Sequence, residues 1–575
     1  MRDTSNDTGQ EKRPLGKKIL LGLLPYWTPL IPPMAISYLK AFVQPHGFEV
    51  RTFDANVELE FKELYNRYFD TMKRYIPPNK RGNYYNIGHD LLQNHMMAHI
   101  HYQQEDEYFE LVHRIVYETY YCNLNNEQIA ALNQVLDEFY ATLKNYLVAL
   151  LEKEKPDVLG LSVYIHTLPA SLFAFRLTRE QYPHIKTVMG GAMFIWQFPV
   201  GTSEFEFLLE KSKDYLDKII VGEGQNLFLK YLRGELDESK RVYTLEDIAG
   251  ERLDVSAVGV PDFSDLKLDF YPYIATFGSR SCPNQCSFCT ISRYFGKYQE
   301  KSARQTVDEI KALHETNGRR QLFFMIDSLV NHILPDLTAE LARAGTAVYF
   351  DGYLRVDDSV CDIENTLAWR QGGFYRARIG TESGSQRILD LIDKRITLDQ
   401  TRASLASLAY AGIKTTTFWI VGHPGESEEE FQMTLDLVEE LKDYIYEAEF
   451  NPFFYFYAGQ SREDEWVKQS KLLYPEWARD MLISQTYILD VYPSREVTYG
   501  RLNRFIEHCI RLGIPNPYSM SEIHYADERW KKLHKNAAPA LVDLEDPTIY
   551  VDDRKNVAKL VSVRNIDVNE ATFGF

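Results

Sequence analysis

Cys282, Cys286 and Cys289 stand in the segment Ser281-Cys-Pro-Asn-Gln-Cys-Ser-Phe-Cys289, spaced three and then two residues apart, with Phe288 just before the last thiol. A loop this short can wrap three corners of a cubane iron–sulfur cluster. Such a cluster normally takes four thiolates, so one iron stays open. An open coordination position marks a catalytic metal rather than a structural one. A zinc site would need a fourth ligand close by, yet the next His is His314 and the next Cys is Cys361. With six Cys in 575 residues, a disulfide framework is not indicated, and the usage suits a reducing cytosol. A cytoplasmic protein is expected.

The cysteine segment resembles the cluster loop of the radical S-adenosylmethionine enzymes. The resemblance implies a [4Fe-4S] cluster on the three thiols and an open iron that chelates the amine and carboxylate of S-adenosylmethionine. It also implies cleavage of the sulfonium to a 5′-deoxyadenosyl radical, with an external flavodoxin- or ferredoxin-type protein as electron donor. Further stretches are similar to that family. Ile379-Gly-Thr-Glu-Ser-Gly-Ser385 places Glu382 and Ser385 near the S-adenosylmethionine, and Trp419-Ile-Val-Gly-His-Pro-Gly-Glu426 places Gly422 in a backbone turn beside its adenine. Arg355 would face the methionine carboxylate. Asp327, in Met325-Ile-Asp-Ser328, stands where many relatives have Gly-Gly-Glu.

These residues need strands to hold them. From Tyr273 onward the pattern repeats strand and helix, with strands at 321–326, 348–352, 376–380, 414–421 and 447–457. Helix 303–316 carries Val307, Ile310 and Leu313 on one face. Six units suit a partial (β/α)6 TIM-type barrel with its site at the carboxyl ends of the strands.

Upstream, Lys18 to Leu24 is a continuous apolar run, as expected of a parallel strand buried on both faces. A helix 34–43 and strands 48–53, 157–164, 185–189 and 219–221 complete an open α/β sheet. Pro32 to Leu39, Asp157 to Ser162, Val188-Met-Gly-Gly191 and Val221-Gly-Glu-Gly224 resemble the cobalamin-binding domain of the cobalamin-dependent radical S-adenosylmethionine family. By that similarity Ser162, His166, Gly190, Gly191, Gly222, Glu223 and Gly224 surround the cobalamin. The older pattern Asp-x-His-x-x-Gly is absent, so a histidine ligand to cobalt is not indicated, and His166 reads as a loop histidine. Residues 55–150 interrupt the sheet as a helical insertion. Its His95 and His99, with His101 nearby, permit a metal pair geometrically but read as an ordinary helix face.

The expected organisation is a disordered lead-in 1–16, a Rossmann-like cobalamin-binding domain 17–245 with its insertion, a linker 246–272, the barrel 273–473 and a mainly helical region 474–575. The last brings Cys509 but no second cluster. Its Tyr492, Phe505, Tyr518, Tyr525 and Trp530 are expected to cap the barrel.

Hydrophobic residues at 45% and charged at 25% are ordinary for a globular protein. A formal charge of −18 argues against a nucleic-acid partner, and no apolar run is long enough to span a bilayer. The cofactors together imply C-methylation of an unactivated carbon in a peptide or natural product. Cobalamin-dependent cyclisation, oxidation or rearrangement is the alternative enzyme reading, and a catalytically silent cobalamin sensor or carrier is the alternative of another class.

Overall fold

The computed structural model describes residues 16–26, 30–81, 84–101, 105–196, 198–455, 463–481, 487–516, 520–544 and 553. Most of the lead-in and Tyr518 lie outside them.

The amino-terminal sheet holds β1 (Lys18–Leu23), β2 (Glu49–Asp54), β3 (Val158–Ser162), β4 (Lys186–Gly190), β5 (Lys218–Ile220) and β6 (Val242–Tyr243). All are parallel, in the order β2-β1-β3-β4-β5-β6. The chain first winds from β1 to β2 and then continues on the other side from β3, so β1 and β3 flank the switch point where open α/β sheets bind ligands. Helix α1 (Met34–Val43) has the span read from sequence. The two-residue β6 has too short an apolar pattern to read from sequence alone.

Among the described residues the insertion contains the α-helices α2 (Leu59–Tyr75), α3 (Tyr84–His101), α4 (Glu105–Tyr120) and α5 (Asn126–Glu154). Asn125 and Gln128 form a reciprocal capping box at the start of α5, which satisfies amide groups that the helix itself leaves open. His95 is fully buried here. Its Nδ1 lies 2.8 Å from the Tyr68 hydroxyl, and its Nε2 lies 2.8 Å from both Tyr108 Oη and Asn133 Oδ1. Burial pushes its pKa down to about 3, so it is a neutral core histidine. His99 pairs with Asp137 at 3.0 Å and His101 with Arg176 at 3.0 Å. After β3, α6 (Leu168–Gln181) returns along the sheet, and α7 (Gly224–Arg233) follows β5.

The second sheet has six parallel strands: β7 (Ile274–Thr276), β8 (Leu322–Met325), β9 (Tyr349–Arg355), β10 (Phe374–Glu382), β11 (Lys414–Val421) and β12 (Glu447–Pro452). Its order is β12-β11-β10-β9-β8-β7, with helices α8 (Ala303–Thr316), α9 (Leu334–Ala344), α10 (Ile363–Gln371), α11 (Leu398–Tyr410) and α12 (Glu428–Glu440) between strands. This is the expected partial barrel. Helix α13 (Arg495–Leu512) packs on the outer side of β12 and against α12. Phe505 stacks on Phe450 there, with ring centroids 4.6 Å apart. Helix α14 (Met520–Leu533) buries Trp530, whose indole N–H donates to the Gly412 carbonyl at 3.3 Å. The carboxyl-terminal helices therefore cover the outer face of the barrel edge. Among the described residues, no helix is long and apolar enough to cross a membrane.

A buried polar hub ties the two sheets together. Glu309 on α8 accepts from Tyr38 of α1 (2.7 Å), from Thr276 of β7 (2.6 Å) and from Lys301 (2.5 Å). The Lys301 ammonium also sits 3.8 Å from the centroid of the Phe277 ring. Pairing and hydrogen bonding of this kind are what a charge needs in order to be buried.

Candidate active site

The cysteine loop follows β7 and hangs over the carboxyl end of the barrel. Ser281 is held at φ +72°, its hydroxyl donating to the Gly296 carbonyl at 2.6 Å. The Ser287 amide donates to the Ile392 carbonyl at 2.9 Å, and the Cys289 amide to the Cys286 carbonyl at 3.0 Å. The three thiols line one cavity of about 480 Å³ together with Gln285, Lys297 and Tyr298. Burial pushes the Cys289 thiol up to about 11, so it needs a cationic partner to exist as thiolate. Among the described residues no three His, Cys, Asp or Glu side chains converge on a single ion. Thiols set apart around one cavity suit a cluster, whose corners are separate irons, better than a lone zinc.

Arg355, the last residue of β9, directs Nη1 to Cys286 Sγ at 3.4 Å. Its backbone is fixed by both ends of the Asn331 amide, at 2.8 Å each. Glu382 ends β10 at φ +63° in a register irregularity and pairs with buried Lys394 at 2.6 Å. The Lys394 ammonium in turn lies 5.9 Å from the centroid of the Phe288 ring. Gly380 makes room for the pair, since a Cβ there would stand 2.4 Å from Glu382 Oε1 and 2.7 Å from Lys394 Nζ. Glu382 is thus brought to the cysteine loop, at Phe288, through Lys394, a residue that no motif spacing marks.

Three other sequence candidates have local tasks. Ser385 caps the helical turn 386–391 and donates to Glu430 Oε1 at 2.9 Å. Gly422 lies at φ +80° after β11 and donates its amide to Glu426 at 2.8 Å, while Arg501 pairs with Glu426 at 2.9 Å. Asp327 accepts from the Gly278 amide at 3.0 Å and from the Ser279 hydroxyl, and so fixes the strand that enters the cysteine loop.

Burial raises the Asp327 pKa to about 6. The folded state therefore holds this proton more tightly than the unfolded chain, whose Asp titrates near ~3.9. Stability should fall as pH rises from about 4 to about 6. Replacement by Asn should remove that part of the slope, which is checked by comparing thermal midpoints of the two proteins across this pH range.

A second cavity, of about 340 Å³, lies between the two sheets. Ser162, Gly190, Gly191, Gly222, Glu223 and Gly224 form one wall. Phe277, Ser279, Arg280 and Ser281 form the other. Gly191 has φ +117°, and a Cβ there would meet the Val163 backbone at 2.4 Å, so only glycine fits the turn. Glu223 takes Arg280 at 3.1 Å and Arg252 at 3.3 Å, and accepts from the Leu253 amide at 3.1 Å. It therefore links the glycine turn to the approach of the cysteine loop, and Arg280 carries no sequence signal for this contact. His166 is not in the cavity wall. It faces the insertion, 3.4 Å from Asp90 and parallel to Tyr26 with ring centroids 6.4 Å apart.

The Radical SAM superfamily model matches residues 277–438. An uncharacterized methyltransferase of Pyrococcus horikoshii is 22% identical over 387 residues, covering 64% of this chain and 81% of that protein. An anaerobic magnesium-protoporphyrin IX monomethyl ester cyclase of Rubrivivax gelatinosus is 24% identical over 312 residues, covering 50% of this chain and only 54% of the cyclase. Among solved structures, the radical S-adenosylmethionine methyltransferase TsrM from Kitasatospora setae, with cobalamin and a [4Fe-4S] cluster bound, superposes with a TM-score of 0.57 at 13% identity. That match covers 95% of this chain and all of TsrM, and it shows a shared fold. Residues 277–438, which carry the cysteine loop and most of the barrel, thus form a radical SAM domain.

Proposed function

We propose that this enzyme binds cobalamin between its two sheets and methylates an unactivated carbon of a peptide or natural-product substrate. The observation that carries the reading is the cavity shared by the two domains. One wall is the set of glycine turns at the switch-point sheet, and the other ends at Ser281, one residue from Cys282. Its floor is apolar, with Leu21, Ile36, Val188 and Phe228, and Gly190, Gly191 and Gly222 leave the rim free of side chains, as a bulky ring ligand requires.

When bound, the cluster with S-adenosylmethionine supplies hydrogen abstraction and cobalamin supplies the methyl group. The chain's own part is positional. Cys282, Cys286 and Cys289 would hold the cluster, and Arg355 beside Cys286 would face the methionine carboxylate. Gly422 would present backbone to the adenine, and the Glu382–Lys394 pair would fix the loop that carries Phe288. Asp327 would hold the entry to that loop. The turns at Ser162, Gly190, Gly191 and 222–224 would hold cobalamin, while His166 lies outside that cavity wall, its Nε2 3.4 Å from Asp90. The methyltransferase relative and the cobalamin-bound fold neighbour support this reading.

The test is incubation of the reconstituted enzyme with candidate substrates, reductant and methyl-deuterated S-adenosylmethionine. A labelled methyl on carbon, with 5′-deoxyadenosine and S-adenosylhomocysteine formed together, is the expected result. The cyclase relative favours a second reading, ring formation. Its signature is an unlabelled product that has lost two hydrogens.

A further inference from the structure

The inner face of the barrel is open along its middle. Every second residue there is partly exposed: Phe324 on β8, Tyr353 and Arg355 on β9, Arg378 on β10, Phe418 and Ile420 on β11, and Glu449 on β12. Tyr353 is 38% exposed although it lies mid-strand, so its ring borders empty space. Three rings form a continuous shelf, with centroid separations of 5.8 Å for Phe324–Tyr353 and 5.9 Å for Tyr353–Phe418.

Most charges of this lumen cancel in pairs; among the described residues Arg355, near the cysteine loop, and Glu449, on the strand wall below it, have no ion-pair partner. Arg378 pairs with Asp351 at 2.9 Å, Arg376 with Glu447, Lys414 with Asp527 at 2.6 Å and Lys394 with Glu382 at 2.6 Å. Arg355 has the sulfur of Cys286. Glu449 is left over. Among the described residues it makes no ion pair, and its one hydrogen bond is from Asn451 at 3.4 Å. Its strand partner is Phe418, which puts the spare carboxylate at the end of the aromatic shelf. Burial raises its pKa, and the Arg378 and Arg376 guanidiniums, already paired with Asp351 and Glu447, offset only part of that cost; a cation seated directly on Glu449 would offset more.

We infer that the lumen is the substrate seat and takes a flat aromatic group bearing a protonated amine, the ring on Phe324, Tyr353 and Phe418 and the ammonium on Glu449. The inference rests on the enzyme acting on a small molecule or peptide side chain, and it names which chemistry is admitted. Aromatic faces accept a ring by stacking and attract a nearby cation. An anionic group at the Glu449 end of the shelf would meet that carboxylate and be disfavoured there, since the Arg378 guanidinium is already held by Asp351.

The experiment uses the cluster-reconstituted protein with S-adenosylhomocysteine bound and no reductant. Phenethylamine and 3-phenylpropionate are the probes, and affinity is read by calorimetry. Phenethylamine should bind at least about tenfold more tightly than the carboxylate, and Glu449→Gln should lose at least about tenfold for the amine alone. Tyr353→Leu should weaken both probes while leaving their order, and it serves as the test if Glu449→Gln does not fold. Absence of phenethylamine binding, equal affinity for the two probes, or unchanged amine binding in Glu449→Gln would overturn the proposal. So would a Glu449→Gln protein that loses affinity for S-adenosylhomocysteine instead, because the carboxylate would then serve the cosubstrate. No turnover is involved, so the outcome is independent of whether the reaction is methylation or ring formation.

Discussion

Replacing Cys282, Cys286 and Cys289 together by alanine is expected to leave a folded protein with iron at background instead of about four per chain, and with no cleavage of S-adenosylmethionine. The three thiols face one cavity, and the loop that bears them is held by bonds from other groups: Ser281 to Gly296 and Ser287 to Ile392. Loss of the thiols should therefore remove the metal without loosening the loop. Iron analysis, visible absorbance and 5′-deoxyadenosine release, measured beside circular dichroism, separate the two effects. Retained iron and cleavage in the triple variant would show that the cluster is held elsewhere.

Lys394→Met is expected to be the most damaging single substitution on the barrel rim. It strands the buried Glu382 carboxylate, and breaking a buried pair from one side costs about 3–5 kcal/mol. It also removes the ammonium beside Phe288, so the cysteine loop loses a support. A lowered thermal midpoint and impaired cluster retention should appear together. In the double variant Glu382→Gln, Lys394→Met the carboxylate is gone as well, and part of the stability should return. A single variant as stable as the parent would show that the pair contributes nothing.

The sheet and barrel were legible because parallel strands buried on both faces read as unbroken apolar runs, as in 18–24. Helices such as 303–316 carry apolar residues at helical spacing. The cysteines and glycine turns were legible because metal binding and close backbone approach restrict residue type. Lys394, Arg280 and Glu449 were not. Each is an ordinary charged residue in sequence, and its task depends on a partner brought near by folding: Glu382 for Lys394, Glu223 for Arg280, and for Glu449 the absence of an ion-pair partner among the described residues. His166 shows the converse. Its position after β3 suggested the cobalamin side, but α3 of the insertion presents Asp90 to it, and an interrupting segment of that length leaves no trace in local pattern of where it will dock.

That docking has a consequence for the order of assembly. Helices α3 and α4 do not rest only on the sheet that they interrupt: Asn94 bonds Tyr474 at 3.3 Å, and Arg495 donates to the Glu118 carbonyl at 3.1 Å, across 380 and 377 residues of chain. These contacts cannot form until residues 474 and 495 have left the ribosome, and contacts so distant in sequence are slow to close. The early-made helices must wait for the segment that follows the barrel. During that interval the sides of α3 and α4 that will meet Tyr474 and Arg495 stay uncovered.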